Sequence, residues 1–186
     1  MSDSHETPPE IEPDTKDWTW VLDQPCPECG YAAPDVDPMA IGATVRALAS
    51  LRLSAPTHRG ALSRSDARDR PAPSVWSVLE YGAHVRDVHL VFGSRLVSML
   101  EHDDPLFDSW DQDAAALADR YDLQAPAVVA SELTDAADAL AEAFDGVTGE
   151  EWDRPGRRSN GSVFTVRTLG LYFLHDVVHH LHDVGA

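Results

Sequence analysis

The chain has 186 residues and a net charge of -18, with 32 acidic side chains against 14 basic ones. That length fits one domain with an additional arm. The acidity argues against nucleic acid as a partner, because phosphate backbones are held by clustered Lys and Arg, and against anionic membrane surfaces for the same reason.

Residues 1–37 are expected to form an irregular arm. The first 17 are rich in Pro, Glu, Asp and Ser and nearly devoid of apolar anchors, the composition of a segment too polar to bury a core. They lack the basic start and apolar run of a signal peptide, and no later run approaches the roughly 18 apolar residues that span a bilayer. A cytoplasmic protein is therefore expected. Trp18, Trp20, Val21 and Leu22 then give the arm something to pack with, before the turn-rich CPECG at residues 26–30. Cys26 and Cys29 are the only cysteines, too few for a secreted disulfide framework. A C-x-x-C pair is half of a four-ligand zinc site. No second half is evident, so a tight turn, a redox pair and a zinc shared across a homodimer stay open.

Residues 38–186 are expected to be an all-α bundle. A first helix is expected over 38–54, with Pro38 at a first helical position and Ile41, Val45, Leu48 and Leu51 at helical spacing. A polar linker follows. The second helix is expected from Ser74 to Leu100, apolar on most faces and hence buried in a bundle. A broken helical stretch covers 113–145, interrupted at Pro126, and the last helix begins near Thr165. Four long helical segments joined by long connections predict a four-helix bundle with crossovers.

The last helix carries HDVVHHLHDV at 175–184, with four histidines. With His175 at zero and about 100° per residue, His179 falls near 40°, His182 near -20° and His180 near 140°. The apolar stripe of Leu174, Val177, Leu181 and Val184 centres near about 220°, with Val178 between, so the histidine face is expected to border the core. His175 and His179, at i and i+4, can share one metal ion. His182 shares their face but lies a turn too far, and His180 is expected to face away. His84 on the second helix is a third candidate, with Glu80 and Asp87 one turn either side to orient its ring.

These residues resemble the DinB-like superfamily of metal-binding four-helix bundles. The resemblance rests on VWSVLEYGAH, the Gly-containing loop RSNGSVFTVRTL and the final HDVVH, and DWTWVLDQPCPECG resembles an extension found in an actinobacterial branch. It implies an up-down-down-up bundle, a divalent ion (Zn, Ni or Fe) on His84, His175 and His179, and a small-molecule substrate. Members include mycothiol-dependent maleylpyruvate isomerase and thiol S-transferases, so a metal-dependent transfer or isomerisation with a mycothiol-type thiol is expected. A metal-dependent hydrolase and a non-catalytic metal-binding or partner-binding bundle are the alternatives. The isomerase-like branch has a Glu at the first ligand position of the last helix, where this reading puts His175. Tyr172, one turn before His175, is a candidate proton donor or substrate contact, and Arg167 a candidate carboxylate binder.

Overall fold

A computed structural model describes residues 16–49 and 60–186. The extreme N-terminus and the end of the first expected helix lie outside the described residues. Among the described residues, five α-helices frame the fold: α1 (Ile41–Leu48), α2 (Val78–Glu101), α3 (Gln112–Ala118), α4 (Pro126–Asp145) and α5 (Val166–Asp183). Three short strands add to them, β1 (Leu106–Phe107), β2 (Pro155–Arg158) and β3 (Val163–Thr165). β1 pairs parallel to β2, and β2 antiparallel to β3. The all-α expectation thus holds for the bundle and misses a small sheet whose strands are too short to show a period of two. No helix among the described residues is long and apolar enough to cross a membrane.

α1 and α2 each pack on both α4 and α5. Successive helices α1 and α2 therefore sit across a diagonal, and so do α4 and α5. A diagonal step cannot be closed by a tight hairpin, which is why long connections precede α2 and α5. The common core takes Ile41 and Val45 from α1, Leu79, Leu96 and Met99 from α2, Leu133, Leu140 and Phe144 from α4, and Leu169, Phe173, Leu174 and Val177 from α5.

Local chemistry sets the helix ends. α2 is capped by Ser77, three residues beyond Ser74, because Ser77 and Glu80 form a reciprocal capping box that satisfies two otherwise orphaned amides. Pro126 occupies the first turn of α4; the expected interruption is a true break, with α3 a separate short helix. Gly170 on α5 lets α1 and α4 approach closely. A Cβ there would lie 2.7 Å from Ile41 Cδ1 and 2.9 Å from Phe144 Cε1. Gly170→Ala should therefore destabilise the bundle by about 1–3 kcal/mol through overpacking, despite its better helix propensity. Urea unfolding midpoints check this, and an unchanged or raised midpoint would contradict it.

Candidate metal centre

α5 presents two donor pairs one residue out of phase. His175 and His179 form one, Asp176 and His180 the other, both at i, i+4. A one-residue shift turns a pair by about 100° around the helix, so the two meet different neighbours.

Asp176 and His180 meet α2. His84, fully buried there, joins them, and one donor atom from each of the three lies within 4.8 Å of the others. His84 Nε2 is 3.8 Å and His180 Nε2 3.6 Å from Asp176 Oδ1, beyond hydrogen-bond range. Both His84 nitrogens and Asp176 Oδ1 are buried without a hydrogen-bond partner. Such orphans cost about 1–3 kcal/mol each; one His84 nitrogen, Nε2, faces Asp176 Oδ1, and a shared cation would satisfy both. Ligands about 2.1 Å from a tetrahedral ion stand about 3.4 Å apart, close to the spacing present. His180 Nδ1 donates to Asp183 Oδ2 at 2.9 Å, since a carboxylate only accepts, and the ring's other nitrogen, Nε2, faces Asp176. This carboxylate–histidine arrangement is how proteins orient a metal ligand. Trp110 stacks on His84 at 5.4 Å and Trp76 lies 5.1 Å away, keeping that side dry. Burial pushes the His84 pKa down, so its ring is neutral. Burial alone would raise the Asp176 carboxyl, but His84 and His180 outweigh it and hold it at about 2.

His175 and His179 meet the arm. Cys26, Cys29, His175 and His179 each place one donor atom within 4.8 Å of the other three. Cys26 Sγ is 3.7 Å from His179 Nδ1, and Glu28 Oε2 lies 3.5 Å from the ring's other nitrogen. His175 Nε2 is buried without a partner. Cys26 is buried and Cys29 half-buried. Their turn is closed by Gly30 N–H donating to Cys26 O at 2.9 Å and Cys26 N–H to Tyr31 O at 2.8 Å. Gly30 has φ +76°, a left-handed conformation that glycine adopts without strain. Tyr31 donates its hydroxyl to Leu171 O at 2.8 Å, and Trp18 lies 5.3 Å from His175 and 4.9 Å from His179.

The three imidazoles expected to share one ion are thus divided between two clusters. The apolar stripe of α5 explains the division. His175 and His179 stand about 160° from its centre, away from α2, whereas Asp176 and His180 stand about 100° away, at its edge. His180 does not face away but meets the His84 ring at 4.7 Å. The Asp176-x-x-x-His180 spacing is as visible in the sequence as His175-x-x-x-His179, but spacing alone does not say which pair meets α2. Neither carboxylate near His84 orients it: Glu80 takes Arg70 and Ser77, and Asp87 takes Arg86 and the Tyr121 hydroxyl. His182 is exposed.

A cavity of about 550 Å³ opens over both clusters. Asp176 and His180 line it together with Tyr172, Arg158, Trp110 and Trp18. Burial raises the Tyr172 pKa, so its phenol stays protonated. Arg158 ends β2, and its Nε is buried without a partner. Arg167 is not among the cavity residues; it reaches Asp153 at 3.9 Å and covers Trp152.

No curated protein matches the chain. Among solved structures it is similar to YfiT from Bacillus subtilis, described as a probable metal-dependent hydrolase with an unusual four-helix bundle topology. The two are 15% identical, with a TM-score of 0.58 over 95% of this chain and 92% of that one, a likeness of fold. The model of the DinB superfamily matches residues 47–184, a span that holds His84 and both donor pairs of α5 but neither cysteine. By that match the chain belongs to the DinB superfamily.

Proposed function

We propose that the chain is a divalent-metal enzyme acting on a small anionic molecule, with His84, Asp176 and His180 as its metal ligands and a low-molecular-weight thiol as its co-substrate. The observation that carries this reading is the convergence of orphaned His84 and Asp176 atoms with His180 beneath an open cavity. Three protein ligands leave a coordination position for a reactant. A divalent ion bound there favours the thiolate over the thiol, or lowers the pKa of a bound water.

The other parts come from the chain itself. Arg158 offers a guanidinium fork suited to a carboxylate. Tyr172 holds a proton beside it, available to an oxygen that gains charge. Trp76 and Trp110 keep water from His84. An acidic residue one turn before a histidine on the last helix is the pattern of the isomerase-like branch, with Asp176 where that branch has Glu; this favours the thiol. A second reading, hydrolysis by bound water, draws on the same ligand set, since two histidines and a carboxylate hold zinc in hydrolytic enzymes, and on the description of YfiT.

Mycothiol offered with a panel of carboxylate-bearing electrophiles and unsaturated acids tests the proposal. Thiol-dependent conversion that needs a divalent metal and is lost in Asp176→Ala is the expected result, with a raised KM in Arg158→Ala. Metal-dependent turnover without thiol would support the hydrolytic reading. No metal-dependent turnover with either nucleophile would overturn both.

A further inference from the structure

We propose that Cys26, Cys29, His175 and His179 form a second metal site: a closed, tetrahedral Cys2His2 zinc site that fastens the N-terminal arm across α5. It does not depend on the catalytic reading above, since it shares no ligand with that centre.

The chemistry of the donors points to zinc. Two thiolates and two imidazoles are a structural zinc set, and C-x-x-C with H-x-x-x-H are its usual spacings. The two halves are far apart in sequence, 153 residues from Cys26 to His179, which hides the pattern from a linear reading. The fold joins them. With Zn–S about 2.3 Å and Zn–N about 2.0–2.1 Å, sulfur and nitrogen at a tetrahedral ion stand about 3.6 Å apart; Cys26 Sγ and His179 Nδ1 are 3.7 Å apart. One Zn2+ displaces both thiol protons and leaves a neutral site, so no net charge is buried beneath Trp18. It would also give the environment of His175, whose Nε2 is buried without a partner, a ligand role.

The outer contacts are those of a metal site. Glu28, between the two cysteines, sits 3.5 Å from His179 Nε2, so one loop supplies both thiols and the carboxylate that fixes the imidazole. The turn is closed by its own backbone hydrogen bonds, with glycine at the left-handed position. Four protein ligands leave no position for substrate, so the role is structural. The arm it holds contributes Lys16, Asp17 and Trp18 to the cavity wall. The site thereby fixes one side of the pocket over the first centre.

Cobalt titration of the reduced, metal-free protein tests this, because only cobalt bound by thiolate gives a near-ultraviolet sulfur-to-cobalt charge-transfer band. In Asp176→Ala and His84→Ala, whose first centre is disabled, the band should survive and saturate at one equivalent per chain. His175→Ala and His179→Ala should each weaken cobalt binding at this band by more than about 100-fold, beyond the loss expected for an outer-sphere partner. Zinc should also protect both thiols of the wild type from alkylation until a chelator is added, a readout that needs no variant. The proposal is overturned if reduced wild type gives no band. It is equally overturned if the band saturates at half an equivalent with the histidine variants unaffected, the signature of cysteines shared between two chains. Thiols alkylated equally fast with and without zinc would also overturn it.

Discussion

Asp176→Asn should empty the first centre while leaving the fold and the second cluster in place. The carboxylate is the only anionic donor among His84, Asp176 and His180, and its charge offsets most of the cost of a dication beside a buried imidazole. The amide is nearly isosteric and neutral, so it removes the charge without opening a cavity. The loss in metal affinity should exceed the roughly 10- to 100-fold that removal of an outer carboxylate costs. Asp183→Asn should fall within that smaller range, because Asp183 acts through His180 Nδ1 at 2.9 Å. Competition with a metal-binding dye measures both. A larger effect for Asp183→Asn than for Asp176→Asn would reverse the roles assigned to the two carboxylates.

Arg70→Ala should cost about 3 kcal/mol, the low end of the range for breaking a buried ion pair. The Glu80 side chain is 4% exposed and that of Arg70 15%, and Arg70 Nε donates to Glu80 Oε2 at 2.9 Å. Without the guanidinium, Glu80 keeps only the Ser77 amide and hydroxyl, each at 2.8 Å. These soften the loss without replacing a charge. Glu80→Gln in the same background should regain part of it, since a neutral amide tolerates burial. Urea denaturation reads both. A loss below about 1 kcal/mol, typical of an exposed pair, would show that this end of α2 is open to solvent. The effect bears on function because α2 carries His84 one turn beyond Glu80.

Much of the bundle was legible from residue spacing. Leu174, Val177, Leu181 and Val184 share a stripe in sequence and are all buried, and Pro126 marked the start of α4. The sheet was not legible: β1 is two residues long and gains its partner, β2, from a distant segment, and β3, three residues long, is too short to show the alternation of a hairpin strand. At the candidate site, His84 was visible as a polar residue in an apolar helix. A helical wheel gives angles between side chains but not which face meets which neighbour, and here α5 carries donors on two faces. Asp176 and His180 stand at the edge of the core stripe, where α2 reaches them. His175 and His179 stand nearly opposite the stripe, where only the arm does. The partner of CPECG lay at the far end of the chain, beyond any local pattern. Arg158 was hidden for a similar reason, since it reaches the cavity from a strand too short to recognise.

On the reading proposed above, α5 holds two metal ions through donor pairs one residue out of phase. Metal content per chain, measured on reduced protein loaded with zinc and freed of excess, tests it directly in wild type, His84→Ala, His175→Ala and the double variant. Two ions in wild type, one in each single variant and none in the double variant are predicted. A single ion in wild type, lost completely in both His84→Ala and His175→Ala, would contradict it and restore one centre built from His84, His175 and His179.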